Sequence, residues 1–222
     1  MITGVNNLNY RSYRKTFKNG SHNGAYYYAR ELEKNIVPFV KTDRDWDLLG
    51  MQFTNHRPRS IIFIHHNVRH DITYKWLEKV KDPILVCSSK ATYNWALSRG
   101  YTAIFLPLSV DVAYVEHFKT EKTKEACYAG NRWAFKVPDI AKYVPAGVDF
   151  PPDNLPREEL LKFIAPYKIC YAIGRCAIEA RVLGCKIKKC DSRYPDPRIW
   201  KVLDNKDAVP ILQKELDKID GV

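Results

Sequence analysis

The sequence predicts an α/β protein, its strands mostly parallel, divided into two small domains. Three observations carry that reading. Short unbroken apolar runs (SIIFIHHN at 60–67, PILVCS at 83–88, TAIFLPL at 102–108) alternate with helix-like segments, the pattern of a parallel sheet covered on both faces. The stretch Tyr171 to Ile187, YAIGRCAIEARVLGCKI, reads as a strand end, a glycine turn, a short helix centred on Glu179, a closing Gly184 and a new strand. Finally, PLSVDVAYVEHFKTEKT at 107–123 turns from apolar to charged, which places a junction near 119–124 and divides the 222 residues into 1–120 and 121–222.

Each element has its own local reason. GAYYYARELEKN, opening at Gly24, has helical spacing. NIVPFV at 35–40 is read as a strand, ITYKWLEKV at 72–80 as a helix, and KATYNWALSR as a helix capped by Ser88 or Ser89 and stopped at Gly100. In the second half, EACYAG at 125–130 is a strand and turn, VPDIAKYV at 137–144 a helix and GVDF at 147–150 a strand. PREELLKFIAPY at 156–167 is a helix with Pro156 in its first turn, KICYAI at 168–173 is a strand, and DNKDAVPILQKELDKIDG closes the second domain with a helix interrupted or started near Pro210.

Composition narrows the function classes. A hydrophobic fraction of 45% with no long apolar run argues against a membrane span, and the amino terminus lacks the apolar core of a secretory signal, so a cytoplasmic protein is expected, with a peripheral membrane position still open. Six cysteines without a CxxC pair read as reduced, buried thiols rather than a disulfide or zinc framework. The net charge of +11 favours an anionic partner: nucleic acid, an acidic membrane surface or a phosphorylated small molecule.

Candidate functional residues fall into five groups. Residues 1–30 contain Arg11, Arg14, Lys15 and Lys18, no acidic residue, and several interleaved tyrosines. Such an arm can follow a phosphate backbone and stack on bases, or its tyrosines can simply face a core. The KNGSHNG loop ending at Gly24 opens onto a helix and would allow close backbone approach to an anion. His65 and His66 stand where the SIIFIHHN strand runs out, the place where side chains reach a ligand crevice; a hydrogen-bonded histidine at a strand end is the alternative. A metal at His66 and His70 has no Cys or carboxylate at ligand spacing to support it. Past the EACYAG strand, Arg132 and Lys136 suit a diphosphate, and Gly174 and Arg175 at another strand end would aim at the same point. Glu179 can accept two hydrogen bonds from a ribose diol, or it can pair with Arg175 four positions earlier.

Taken together, GRCAIEARVLGCKI, YAGNRWAFK and LVCSSKATYNWALSRGYTAIFLPLSVDVAYVEHF resemble, in their order, the signature segments of GT-B glycosyltransferases, in particular the retaining group-1 (family 4) class in a short form. The resemblance spans about residues 60–190. It implies two Rossmann-like domains with a nucleotide-sugar in the cleft between them and a hexosyltransferase-like activity that needs no metal and no cofactor. Arg132, Lys136, Gly174 and Arg175 would hold the diphosphate, Glu179 the ribose, and His65 or His66 the sugar side, with the loop at Gly24 approaching from the first domain. Acceptors implied by charge are a modified DNA base or a lipid or glycan at a membrane. The position eight residues before Glu179, commonly Glu in that class, is Tyr171, which leaves open a protein that binds nucleotide or nucleic acid without turnover.

Overall fold

The computed structural model describes residues 24–48, 56–64, 74–129, 144–152, 155–189 and 196–221. The chain is α/β and forms two compact units, each built on a parallel sheet compatible with Rossmann-like folds. Unit 1 gathers residues 25–107 with 205–222, and unit 2 gathers 108–204. The division therefore falls at 107/108 rather than at 119–124, and the closing helix belongs to the first unit rather than the second. The charged stretch that suggested the later junction is the link between a short helix and the first strand of unit 2.

Unit 1 has a four-stranded sheet in the order β1 (Trp46–Asp47), β2 (Ile61–Ile64), β3 (Ile84–Cys87), β4 (Thr102–Phe105), all neighbours parallel. IIFI and ILVC are buried at every position, as strands covered on both faces must be. The register sets Ile62 beside Leu85 and Ile64 beside Cys87, and on that face they pack with Tyr74, Leu77 and Ala96. α1 (Gly24–Asn35) precedes the sheet, and α2 (Lys90–Ser98) connects β3 to β4. Ser89 is the cap of α2, its hydroxyl accepting from the Thr92 amide at 3.2 Å, and Gly100 at φ +77° ends the helical segment, a conformation costly for any residue with a Cβ.

Two segments differ from the sequence reading. NIVPFV is not a strand: α1 runs to Asn35 and Val37–Phe39 form a 3-10 turn, with Pro38 unable to donate to a ladder. Residues 75–79 form a 3-10 helix, shorter than the expected helix over 72–80 and closed off before Pro83.

The last helix, α6 (Asn205–Asp220), carries Pro210 inside it; Ala208, Leu212 and Leu216 form the buried stripe at four-residue spacing, and Pro210 is exposed. Its ties explain its place in unit 1. Asn205 Nδ2 donates to Glu31 Oε1 at 3.3 Å, and Gln213 accepts from the Lys41 amide at 2.6 Å and donates to the Lys41 carbonyl at 3.2 Å. Arg44 and Arg59 both bond to the Asp220 carboxylate.

Burial in this core has a pH consequence. It pushes the Cys87 thiol up to about 12, and the Tyr74 hydroxyl is raised too, first by burial and then by Cys87. Above pH 9, where an unfolded cysteine ionises, the unfolded chain has lost a proton that the folded chain keeps until about pH 12, so stability falls as pH rises across that window. Melting temperatures measured from pH 8 to 12 are expected to decline, and Cys87→Val should decline less steeply.

Unit 2 has a three-stranded parallel sheet, β5 (Lys124–Ala129), β6 (Tyr167–Ala172), β7 (Lys186–Lys188), in that order. α3 (Val112–Glu116) precedes β5, with Asp111 accepting from the Tyr114 amide at 3.0 Å as its cap. α4 (Arg157–Ile164) precedes β6, with Pro156 at the cap position, and Lys122 Nζ donates to the Ala165 carbonyl at 2.6 Å, satisfying one of its terminal acceptors. α5 (Gly174–Val182) joins β6 to β7. GVDF is not a strand; it makes one isolated bridge between Asp149 and Cys127, and Tyr167 donates its hydroxyl to Asp149 Oδ2 at 2.6 Å. The helix expected over 137–144 lies outside the described residues apart from Val144. Among the described residues no helix is long and apolar enough to cross a membrane.

Candidate functional site

The Tyr171 to Ile187 stretch forms the elements its sequence predicts. β6 ends at Ala172, Ile173 is extended, and α5 begins at Gly174 with φ +57°. A Cβ built on Gly174 would meet only Leu108 Cδ1, at 3.9 Å, so space does not demand glycine here. The left-handed backbone does, at about 1–2 kcal/mol for an L-residue. Gly174→Ala is therefore expected to cost about 1–2 kcal/mol in denaturant unfolding, whereas an alanine at a right-handed position of α5 would not.

α5 has no side-chain cap, so its first amides and the positive end of its dipole lie at the carboxyl edge of the sheet. β5 is the parallel neighbour of β6 and ends level with it, Ala129 beside Ala172. That edge is where an open α/β sheet takes phosphate-bearing ligands.

Glu179, one turn into α5, is only 2% exposed. Its Oε1 accepts from Arg175 Nε at 2.8 Å and from Arg157 Nε at 3.1 Å, and the second Arg157 nitrogen lies at 3.0 Å. The intrahelical pairing with Arg175 that the spacing allows is thus present, joined by an arginine from the first turn of α4. Arg157 also lies over the Tyr114 ring, 5.0 Å from its centroid, and Tyr114 donates its hydroxyl to Glu158 Oε1 at 3.1 Å. Burial, then Glu158, raises the Tyr114 hydroxyl, keeping it protonated as a donor. Two guanidinium groups share the one buried carboxylate beside the positive end of a helix, and exposed Glu158 sets a second negative charge next to Arg157.

Arg157 and Tyr114 are absent from the sequence reading. Arg157 lies 22 positions before Glu179 on another helix, and the only signal was an arginine opening a helix that precedes the site strand.

Other expected residues are placed less fully. Gly24 is the first residue of α1. β2 ends at Ile64, immediately before His65 and His66, and β5 ends at Ala129, three residues before Arg132. His65, His66, Arg132, Lys136, Arg11, Arg14, Lys15 and Lys18 lie outside the described residues. Unit 1 contains a histidine and carboxylate pair that sequence reading missed: His56 Nε2 sits 2.7 Å from Asp47 Oδ2, with the imidazole stacked on Trp76 at 5.0 Å. Their side chains are 2% and 0% exposed, so the pair ties β1 to the segment before β2 and offers no access to a substrate. Among the described residues no group of three or more metal-ligating side chains comes together.

Comparison with protein-family models, with curated proteins and with solved structures gives no match for this chain.

Proposed function

We propose that the chain is a glycosyltransferase of the GT-B type that uses a nucleoside-diphosphate sugar. The observation that carries this reading is the end of β6: a left-handed glycine, an uncapped helix start, and two guanidinium groups gathered on buried Glu179. A diphosphate at that edge would receive amides of α5 and the charge of Arg175, with Arg132 and Lys136 contributing from beyond β5. Glu179, only 2% exposed, then acts on the donor through the arginines it holds rather than by reaching the ribose. Positive charge placed before the reaction stabilises the departing diphosphate. In the resembling class the first domain takes the acceptor, and on that reading His65 or His66 would serve the sugar side. The acceptor is a modified DNA base or a membrane-associated glycan or lipid, for which the basic arm through Arg11, Arg14, Lys15 and Lys18 supplies charge.

The test is incubation with UDP- and GDP-sugars, following release of nucleoside diphosphate. Turnover that survives a chelator is the expected result, because side chains supply the neutralisation. Failure to bind any nucleoside diphosphate or its sugar would remove the proposal. Tyr171, where the resembling class commonly has Glu, favours a second reading in which the chain binds nucleotide or nucleic acid without transfer; tight donor binding with no turnover on any acceptor would select it.

A further inference from the structure

We propose that the β6–β7 side of the unit 2 sheet is a binding surface for single-stranded nucleic acid. It uses the face of the sheet at Tyr171 and β7, and not the arginines gathered on Glu179.

The register fixes which side chains share the face. Tyr167 lies beside Lys124, Ile169 between Ala126 and Lys186, and Tyr171 between Tyr128 and Lys188. Successive side chains alternate between faces, so Lys124, Tyr171, Ile169, Lys186 and Lys188 all stand on one side of the sheet. Its β5 half is covered: Tyr128 is buried with Val144, and Val148, Phe150, Ile173 and one side of Tyr171 pack there. Toward β7 the cover thins. Ile169 and Tyr171 are half-buried, and Lys186 and Lys188 are exposed.

The charge of this face is one-sided among the described residues. Lys168, on the opposite face, pairs with Glu125, whereas no described carboxylate pairs with Lys186 or Lys188. Of the described carboxylates, Asp149 lies beyond β5 and accepts from the Tyr167 hydroxyl, and Asp196 takes two bonds from the Arg198 side chain.

Lysines on an edge strand also guard against edge-to-edge pairing. That role accounts for the charge but not for a partly open aromatic and aliphatic row beside it, on a kind of sheet normally covered on both faces. A basic edge flanking a tyrosine ring is the arrangement that tracks a sugar-phosphate chain while a base stacks. Lys186 and Lys188 are about 6.6 Å apart along the strand, comparable to the separation of successive phosphates in an extended single strand. A duplex keeps its bases stacked inside and offers none to Tyr171, which favours the single strand.

The experiment is fluorescence anisotropy of the full chain with a labelled thymidine oligonucleotide of about 16 nucleotides, across a series of salt concentrations. Lys186→Ala with Lys188→Ala is expected to weaken binding about tenfold and to lower the slope of log affinity against log salt by about 1.4, or 0.7 for each phosphate no longer neutralised. Both lysines are exposed, so the variant should fold as wild type. Lys34→Ala with Lys214→Ala, the same charge change on exposed helix positions of unit 1, should weaken binding less than about twofold. Tyr171→Leu, which keeps an apolar side chain against Tyr128, should weaken binding about tenfold by removing the stacking ring. Equal losses from the two lysine pairs, a wild type that ignores the oligonucleotide at low salt, or binding to phosphatidylserine vesicles without binding to the oligonucleotide would overturn the proposal.

Discussion

Replacing Glu179 with alanine is expected to destabilise unit 2 by about 3–5 kcal/mol, because it strands two arginines in a site built for three charges. The Arg157 and Arg175 side chains are 16% and 10% exposed, too little for water to replace the lost carboxylate. Glu179→Gln keeps the shape and one acceptor, so it should cost less than alanine. The triple variant Glu179→Ala, Arg157→Met, Arg175→Met should recover most of the loss, since replacing a whole buried ionic cluster by apolar side chains is often neutral. Urea unfolding of the four proteins checks this. A loss below about 1 kcal/mol for Glu179→Ala would mean the carboxylate faces water.

In unit 1 the largest single effect is expected at Trp46. This ring is 1% exposed and stacks on Phe63 with centroids 6.1 Å apart. β1 is only two residues long, joined to β2 at Trp46 beside Ile61 and Asp47 beside Ile62. Trp46→Ala should therefore cost about 3–5 kcal/mol, the range for truncating a buried aromatic side chain. Phe39→Ala, at a residue 64% exposed, should stay within about 0.5 kcal/mol of wild type. Equal effects at the two positions in guanidinium unfolding would contradict β1 as a part of the core.

Much of the fold was legible because unbroken apolar runs leave a strand little choice. IIFI and ILVC each declare burial on both faces, and the Ser89 cap and Gly100 stop bracket α2 from local chemistry alone. β1 was not legible: two residues, Trp46 and Asp47, carry no periodicity, and NIVPFV offered a more strand-like composition nearby. The pattern of α6 reveals a buried stripe but not what it is buried against. The bonds that Asn205, Gln213 and Asp220 make to residues 31, 41, 44 and 59 return it to unit 1.

At the site, the turn and helix of Gly174 to Gly184 could be read directly, and the Arg175 and Glu179 pair followed from four-residue spacing. Arg157 could not be found that way, because its approach to Glu179 depends on how α4 packs on α5. The burial of Glu179 was hidden for the same reason. Spacing fixes the side of a helix on which a carboxylate lies, but packing decides whether it meets solvent or a second arginine.

The proposed function stands or falls on whether the carboxyl edge of β6 holds a nucleoside diphosphate. Isothermal titration of the full chain with UDP, GDP and their sugars reads that binding itself. Saturable binding with a Kd of about 1–1000 µM is predicted for at least one of them, weakened about tenfold or more by Arg175→Ala and unchanged by the Lys186→Ala, Lys188→Ala pair. Absence of binding to every nucleotide, or equal binding by wild type and Arg175→Ala, would contradict it.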